Sequence, residues 1–353
     1  MRHTVKFIKQ LISVPLAIAL MGFIAPAVLS VVVPGAVSAA YAEATPSAAK
    51  KISKKKSTAK PTAKAAGKKS KKHKAARAAI VPDIDADGRP NLLSHAALVF
   101  DQATSRVIYA KNADAPAPIA SITKLMTAMV VIEANPNMNE PVVIEAADID
   151  TIKNSRSRLP VGTAFRREDL LRLALMASDN RAAAALARMH PGGTVAFVAA
   201  MNAKAKSLGL NNSHFVDPTG LAPGNIASPQ DLAVMVSAAS NFDLIRAFST
   251  APALNVTLPN TGRQIGFNNT NALVNSEGWN IGLSKTGFIN EAGKCLVMQA
   301  TIGTKSVVIV LMDSWGKFTR MGDANRIKKW IETRKEIPAT PASMVLALPA
   351  KAM

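Results

Sequence analysis

Two residues at the start of an apolar stretch could supply a nucleophile and its base: Ser121 and Lys124 within Ser121-Ile122-Thr123-Lys124. At this spacing the two side chains would share one face of a helix, one turn apart. The segment from Leu125 to Ile132 is almost entirely apolar, and neither Pro nor Gly occurs between Ser121 and Pro136, which predicts a mostly buried helix. A Lys desolvated in such a helix can act as the base for a neighbouring Ser hydroxyl. The alternative interpretation is that Ser121 only caps the helix.

Two further motifs contain residue types that could complete such a site. Ser178-Asp179-Asn180 lies at a predicted corner between two helices, and Lys285-Thr286-Gly287 ends a predicted strand. Alone, the first can be a helix N-cap, and the second a strand exit with a solvated Lys. Together the three motifs follow the order S-x-x-K, S-x-N, K-T-G, which is the signature set of serine acyl-transfer sites. The set therefore predicts covalent catalysis by a serine that is activated by a lysine.

Motifs for other hydrolytic chemistries are missing from the sequence. The chain has five His but no H-E-x-x-H pair, so a zinc peptidase is not indicated. There is no G-x-S-x-G turn for a Ser-His-Asp hydrolase. Cys295 is the only cysteine, which excludes an intrachain disulfide, and its apolar strand predicts a small buried side chain. We expect no metal and no cofactor.

Strands at both ends of the globular region and helices between them predict an α+β fold. The helices are expected at Arg167–Ala177, Arg181–Met189, Thr194–Leu208, Ser228–Ala239 and, near the C-terminus, Phe318–Thr333. The strands are expected at Ala96–Asp101, Arg106–Ala110, Val142–Ile144, Ala253–Leu258, Gln264–Phe267, Ile281–Thr286, Lys294–Ile302 and Ser306–Met312. The first and last strands should meet in one sheet.

The first 42 residues have the features of an export signal. Basic residues near Met1 precede an apolar run from Leu11 to Val33, and small residues end the segment at Ala40-Tyr41-Ala42. The alternative is an uncleaved membrane anchor, because the apolar run is long enough to span a bilayer. Both interpretations place the rest of the chain outside the cytoplasm.

Residues 43–80 are rich in Lys and Ala, and we expect them to form a disordered cationic arm. From Lys50 to Arg77 there are thirteen Lys or Arg residues and no acid. Residues 1–80 carry +15 of the chain's formal net charge of +20, so the high charge belongs to the arm and not to the globular region. The arm could bind an anionic envelope surface or serve as a solvated spacer. Export argues against a nucleic-acid partner.

The motifs are embedded in longer runs at residues 118–129, 173–183, 200–209, 215–221, 285–288 and 330–333. Through these runs the chain resembles the low-molecular-mass penicillin-binding D-alanyl-D-alanine peptidases (S11-type serine peptidases), and most closely their periplasmic endopeptidases. Asp179 departs from the Glu of that endopeptidase type, a conservative difference. The resemblance implies a β-lactamase/transpeptidase-like domain over residues 81–337, with an antiparallel sheet flanked by helices and an inserted helical subdomain. A short Pro- and Ala-rich tail, residues 338–353, would follow.

The resemblance also implies how the bond is broken. Ser121 would attack a D-alanyl carbonyl and form an acyl-enzyme, and Lys124 would take its proton. Ser178 would relay a proton to the leaving amine, in a region held positive by Lys285. With two lysines close to one serine, each should lower the pKa of the other, which would keep Lys124 partly neutral.

Substrate binding is implied for the remaining motif residues. Asn180 would hydrogen-bond the substrate backbone, and Thr286 and Gly287 would line a strand edge to which the peptide adds. The backbone N–H groups of Ser121 and Phe288 would form the oxyanion hole. Peptidoglycan stem peptides are the expected substrates, with β-lactams as covalent inhibitors, in the periplasm.

Three enzymatic activities fit this set, together with one non-enzymatic role. A DD-endopeptidase is favoured over a DD-carboxypeptidase because the apolar Phe288 follows K-T-G. The chain also ends about twenty residues after Trp330 without a charged amphipathic face. A class A-like β-lactamase is disfavoured because no E-x-x-L-N run lies between Asn180 and Lys285. The complete motifs argue against a non-catalytic cell-wall-binding protein.

Overall fold

Runs of aliphatic residues at both ends of the globular region build the central sheet. The structure, a computed structural model, describes residues 82–334. Its strands are β1 Ala96–Asp101, β2 Arg106–Lys111, β3 Ala117–Pro118, β4 Pro141–Val143, β5 Ala164–Arg166, β6 Ile226–Ala227, β7 Ala253–Thr257, β8 Gln264–Asn268, β9 Asn280–Ile289, β10 Gly293–Ile302 and β11 Lys305–Ser314. The main sheet has the order β2-β1-β11-β10-β9, and every neighbouring pair is antiparallel. The two ends of the described chain therefore meet in one sheet, and β9 lies at its edge.

A helical subdomain is inserted between β2 and β9. The helices are α1 Thr123–Glu133, α2 Arg167–Met176, α3 Asn180–Arg188, α4 Gly193–Ser207, α5 Pro229–Ala239, α6 Asp243–Ser249 and, after β11, α7 Thr319–Thr333. The pairs β3–β6, β4–β5 and β7–β8 form small two-stranded sheets within the insertion. No helix within residues 82–334 is long and apolar enough to cross a membrane.

The main sheet is buried on both faces. Along β10, Cys295 and Val297 belong to the core shared with the helical insertion, whereas Leu296 and Met298 belong to a second core under α7. Alternate strand residues point to opposite faces, so a continuous apolar run is what a strand covered on both sides requires. The prediction that Cys295 is buried is confirmed, since it is 0% exposed.

The predicted α+β class and most predicted elements are confirmed, with two notable differences. The strand predicted to end at Thr286 continues to Ile289, because Ile289 still pairs with Gly293 of β10. The K-T-G motif therefore lies inside an edge strand, and the interpretation of Lys285 as a solvated strand-exit residue is wrong. Helix α6 was not predicted, because seven residues are too few to show a helical period.

The predicted export signal, cationic arm and C-terminal tail lie outside the described residues. The described chain begins with a short segment that packs beside α7, where Lys329 Nζ donates to Asp83 at 3.0 Å and the Trp330 indole N–H donates to the carbonyl of Gly88 at 3.0 Å. Residues just after the arm are thus part of the folded region.

Candidate active site

Ser121 stands in a tight turn ahead of α1. The residues Ala120–Ile122 form a 3₁₀ turn, and the helix N-cap is Ile122, without a side-chain cap. The interpretation of Ser121 as a helix cap is therefore wrong. Ala120 has a left-handed backbone conformation (φ 48°), which is uncommon for a residue with a Cβ. The Ser121 hydroxyl is instead free to accept a hydrogen bond from Lys124 Nζ, at 2.9 Å.

Lys124 is fully buried and has no counter-ion in contact. It is 0% exposed, and its ammonium donates to Asn180 Oδ1 at 2.6 Å and to the carbonyl of Thr219 at 2.6 Å, in addition to Ser121. All three acceptors are neutral, and among residues 82–334 the ion pairs do not include Lys124. Burial lowers the pKa of Lys124 to about 7, against smaller opposing effects of the Asp217, Asp179 and Asp150 carboxylates.

Lys285 is the second buried lysine. It is 1% exposed, and its Nζ donates to Ser178 Oγ at 2.8 Å and to the carbonyl of Thr286 at 3.0 Å. Burial lowers the pKa of Lys285 well below its ordinary value, and the charges of Lys124 and then Arg320 lower it further. The predicted repulsion between the lysines thus acts on Lys285, while for Lys124 burial is the dominant cause.

The Ser178-Asp179-Asn180 motif serves as both a helix cap and a site wall. Asp179 is the N-cap of α3, and its carboxylate accepts from the N–H of Ala182 at 2.9 Å. Ser178 has a left-handed conformation (φ 58°), which turns the chain between α2 and α3. Asn180 accepts from Lys124 and donates through Nδ2 to Ser155 Oγ at 2.8 Å. The capping interpretation holds for Asp179, and the two flanking residues contact the lysines.

The K-T-G motif brings β9 against the backbone of Ser121. A Cβ added to Gly287 would lie 2.9 Å from the carbonyl oxygen of Ile119 and 3.2 Å from the N of Ser121. The missing side chain therefore permits the close approach of strand and turn. Thr286 is buried and shares a hydrogen bond with the Thr270 hydroxyl at 2.7 Å.

The segment 217–222 contacts the ammonium of Lys124, although the sequence had indicated no chemical role for it. The Asp217 carboxylate accepts from the backbone N–H of Thr219 at 2.6 Å and of Gly220 at 2.8 Å. This turn directs the Thr219 carbonyl at the ammonium of Lys124. The run 215–221 was part of the family resemblance, but nothing in its spacing indicated a carbonyl acceptor.

Gly220 is where this segment touches the nucleophile turn. Its φ is +80°, and a Cβ there would lie 1.9 Å from the carbonyl oxygen of Ala120. A side chain at this position would therefore collide with the backbone that carries Ser121. Glycine therefore suits this position for two independent reasons: the backbone has a positive φ, and there is no room for a Cβ.

Arg320 supplies a third cation that sequence reasoning missed. It lies in α7, and its Nη1 donates to the carbonyls of Gly287 and Cys295, both at 3.1 Å. Among the described residues, its Nε is buried without a hydrogen-bond partner. The amphipathic pattern of the helix gave no reason to single out this Arg, because its contacts are to strands distant in sequence.

Comparison with known proteins places the fold and the motifs in one family. A family model described as D-alanyl-D-alanine carboxypeptidase (peptidase S11) matches residues 84–316. The D-alanyl-D-alanine endopeptidase of Pseudomonas aeruginosa is 44% identical over 269 residues, covering 76% of this chain and 86% of the relative. The D-alanyl-D-alanine endopeptidase of Escherichia coli (strain K12) is 45% identical over 256 residues, covering 72% and 83%.

Solved structures show the same fold. The crystal structure of the Streptomyces K15 DD-transpeptidase matches with a TM-score of 0.64 and 30% sequence identity, covering 68% of this chain and 97% of that one. The prediction of a transpeptidase-like α+β domain with an inserted helical subdomain is confirmed.

Proposed function

The chain belongs to the D-alanyl-D-alanine carboxypeptidase family of serine peptidases, and we propose that within it the chain is a DD-endopeptidase that hydrolyses D-alanyl cross-links of peptidoglycan. The observation that carries the catalytic chemistry of the proposal is the contact of Ser121 with a fully buried Lys124 whose pKa burial lowers to about 7. A lysine in that state is half neutral near physiological pH, as a general base should be.

The acylation step uses Ser121 and Lys124. Lys124 removes the hydroxyl proton while Ser121 Oγ attacks the D-alanyl carbonyl, and the resulting oxyanion lies against the backbone N–H groups of Ser121 and Phe288. One such donor typically lowers the barrier by about 3 kcal/mol. The close approach of Gly287 to the Ser121 backbone supports this arrangement, because it brings the strand and the turn that carry the two donors together.

The leaving amine needs a proton, and the hydrogen-bonded pair of Ser178 and Lys285 can supply one. Ser178 Oγ accepts from Lys285 Nζ, so the hydroxyl can give its own proton to the amine and be replenished from Lys285. The proton that Lys124 took from Ser121 replaces the one that Lys285 gave up, which returns both lysines to their starting states. Water then hydrolyses the acyl-enzyme: its oxygen bonds to the carbonyl carbon, the ester bond to Ser121 Oγ breaks, and a proton from the water restores the Ser121 hydroxyl.

The substrate backbone binds along the free edge of β9. Because β9 is the last strand of the main sheet, the peptide can add as a further strand at Thr286 and Gly287. Asn180 stands on the opposite side, where its Nδ2 retains one hydrogen beyond the bond to Ser155. That hydrogen is available to a substrate carbonyl.

A DD-carboxypeptidase is the second candidate, and Arg320 is the observation in its favour. Its guanidinium adds positive charge beside Lys285, where a terminal carboxylate would lie in a carboxypeptidase substrate. The endopeptidase assignment is favoured by the 44% and 45% identical relatives, whose names state that activity.

Product analysis separates the two candidates. We expect purified protein to convert cross-linked muropeptide dimers to monomers at least tenfold faster than it releases D-Ala from pentapeptide monomers, a difference of about 1.4 kcal/mol in the barrier. Rapid D-Ala release with intact dimers would establish the carboxypeptidase instead. A labelled penicillin should acylate Ser121 and no other residue, and Ser121→Ala should remove the label.

Export to the periplasm completes the proposal. Residues 1–42 would be the signal, residues 43–80 a cationic arm, residues 81–337 the catalytic domain and residues 338–353 a tail. All thirteen Lys and Arg residues of the arm lie between Lys50 and Arg77, so its binding to anionic envelope material should be electrostatic. Deleting residues 43–79 should leave cleavage of a small soluble muropeptide unchanged. Retention on sacculi should fall at low salt only, because salt above about 0.15 M screens such charges.

A further inference from the structure

The Asn180 side chain faces a different partner at each of its two ends. Its Oδ1 accepts a hydrogen bond from Lys124 Nζ at 2.6 Å, and its Nδ2 donates to Ser155 Oγ at 2.8 Å. The two ends of an amide have nearly the same shape, so a half-turn of the group would exchange an acceptor for a donor at little steric cost. The hydrogen bonds around the amide therefore decide which end Lys124 meets.

Ser155 can only accept from this amide, because its own proton is committed to Asp150. The Asp150 carboxylate accepts from the backbone N–H groups of Ile152 at 2.8 Å, Lys153 at 3.0 Å and Ser155 at 2.7 Å. Burial alone would raise the pKa of Asp150, but hydrogen bonds from the Ser155 side chain and from these N–H groups hold the pKa below its ordinary value. An ionised carboxylate has no proton to give, so the Ser155 hydroxyl is the donor to Asp150.

Each hydrogen bond in this series fixes the direction of the next. The Ser155 hydroxyl gives its proton to Asp150 and offers its lone pairs to Asn180. The NH2 end of Asn180 therefore faces Ser155, and the oxygen is left for Lys124. A reversed amide would set two acceptors face to face at Ser155 and two donors face to face at the ammonium of Lys124. Such contacts are costly around a side chain that is 0% exposed.

The direction of the amide matters for the reaction, because a neutral lysine has a single lone pair. In the proposed acylation step, the lone pair of Lys124 must take the Ser121 proton. A reversed Asn180 would donate to the same lone pair and compete with the Ser121 hydroxyl. It would also turn an oxygen, instead of the remaining N–H hydrogen, toward the substrate carbonyl.

Neighbouring contacts hold Ser155 in place. Ser157 Oγ donates to the Asp179 carboxylate at 2.8 Å, and the Arg181 guanidinium donates to the carbonyl of Leu159. With the bond from the amide to Ser155, these contacts fasten the segment before Leu159 to the start of α3. Of the two serines in this segment that bond to the S-x-N motif, Ser155 is the one that contacts the amide.

We infer that Ser155 is a positioning residue of the site: together with Asp150, it holds the Asn180 amide with its oxygen toward Lys124 and its NH2 group toward Ser155 and the substrate. Ser155 acts through Asn180, and Asp150 acts through Ser155. The inference rests on the proposed function, in which Lys124 is the general base.

The pH dependence of acylation by labelled benzylpenicillin tests this role. In Ser155→Ala the amide can turn over and donate to neutral Lys124, which occupies the base and favours its neutral form. The rate above the inflection should therefore fall about tenfold, and the inflection should move about one pH unit below its wild-type position near 7. The carboxylates of Asp217 and Asp179 and the ammonium of Lys285 also interact with Lys124, and they are the same in both proteins.

A segment that had merely loosened would give the opposite shift. Water admitted beside Lys124 would reduce the desolvation that lowers its pKa, so the inflection would rise. Ser157→Ala is the matched control, because it removes a hydroxyl of the same segment that bonds to Asp179 instead of the amide. Its rate and its inflection should stay close to wild type. Ser155→Thr keeps the hydroxyl and should acylate at nearly the wild-type rate.

A double-mutant cycle tests the part of Asp150. Asp150→Asn can donate to Ser155, which frees the hydroxyl proton for Asn180 and permits the reversed amide, so the rate above the inflection should fall by a similar factor. In the Ser155→Ala background the same substitution should cost nothing further, because both changes remove one series of contacts. The rate is the readout here, because loss of the Asp150 charge by itself lowers the pKa of Lys124.

Rates are compared for variants whose urea unfolding curves show that they are folded under the assay conditions. Equal rate losses in Ser155→Ala and Ser157→Ala, or an inflection in Ser155→Ala that is unchanged or raised, would overturn the inference while the wild type is still labelled on Ser121. Ser155→Thr as slow as Ser155→Ala, or additive losses with Asp150→Asn, would overturn it as well. A wild-type protein that benzylpenicillin does not label on Ser121 would overturn the proposed function, and this inference with it.

Discussion

The two faces of the central sheet each bury a charged side chain, and they do so in opposite ways. On the helical face, Lys124 is 0% exposed and donates only to neutral oxygens. On the α7 face, Asp323 is also 0% exposed. Its carboxylate accepts from the N–H groups of Leu93 at 3.1 Å and Ser94 at 2.7 Å, from the Ser94 hydroxyl at 2.7 Å, and from the Arg326 guanidinium at 3.0 Å.

Burial thus serves stability on one face and, in the proposed mechanism, chemistry on the other. Asp323 has a counter-ion and several donors, so its charge is matched and it fastens the segment before β1 to α7. Lys124 has no counter-ion in contact, so its charged form is penalised and its pKa falls to about 7. A buried charge with a counter-ion keeps its charge. A buried ammonium without one loses its proton more easily, and the neutral amine can then accept a proton. Five changes test this contrast, and their expected effects decrease from the first to the last.

Removing the unmatched charge of Lys124 should slow acylation severely without weakening the fold. Lys124→Met keeps an unbranched apolar chain in the same space, and the rate of penicillin acylation should fall by about 10²–10⁴, the usual contribution of a general base. The free energy of unfolding at pH 7, measured with urea, should stay level or rise. A substantial loss of stability would show that Lys124 is structural as Asp323 is.

Removing the matched charge of Asp323 should weaken the fold and leave the acylation rate unchanged. Asp323→Ala leaves buried donors at Leu93 and Ser94 and removes one of the two carboxylates that pair with Arg326, and we expect a loss of about 3–5 kcal/mol of unfolding free energy. The acylation rate of the protein that remains folded should equal that of the wild type. A matching loss of acylation rate would show that the α7 face acts on the site through the sheet.

The glycine that contacts the nucleophile turn should be intolerant of a methyl group. Gly220→Ala places a Cβ against the carbonyl of Ala120, so acylation should slow at least about tenfold through displacement of Ser121. Gly209 is the matched control, with φ +72° and nothing within 4 Å of an added Cβ. Gly209→Ala should lose about 1–2 kcal/mol of stability from backbone strain alone and keep its acylation rate.

The pH dependence follows from the lowered pKa of Lys124. Only neutral Lys124 can take the Ser121 proton, so the acylation rate should rise about tenfold per pH unit below about 7 and level off above it. The unfolded chain, with an ordinary lysine pKa, binds one more proton than the folded chain between about 7 and 10.5, so this group makes stability rise with pH in that window. A rate that falls across pH 6 to 8 would contradict the role of Lys124 as base.

The smallest change is expected near the C-terminal end of α7, at Trp330. Trp330→Phe removes the indole N–H that donates to the carbonyl of Gly88, and such a hydrogen bond contributes about 1 kcal/mol. Thermal unfolding should shift by a few degrees. Acylation should not change, because Trp330 packs in the second core, whereas Arg320 is the residue of α7 that contacts β9 beside the site. A slower acylation at full folding would contradict that division.

The site could be predicted from the sequence wherever local spacing carries the chemistry. Ser121 and Lys124 are three residues apart, so one helical turn brings them together whatever the rest of the fold does. Asp179 followed by an Ala-rich run predicted the start of α3 to within one residue. Arg320 and the carbonyl of Thr219 could not be found this way. An Arg on an amphipathic helix and a backbone oxygen in a loop look the same in sequence whether or not a site lies beside them.

The residue types of the site, their order and the α+β class follow from the amino-acid sequence alone, because side-chain chemistry and hydrophobic period are local properties. Which residues meet, and in what charge state, depends on the folded chain. Ser178 and Lys285 are separated by 107 residues and come within 2.8 Å because the helical insertion folds back on β9. The pKa of Lys124 falls to about 7 because helices and sheet close around it, and the loss of water around an ammonium depends on every element that surrounds it.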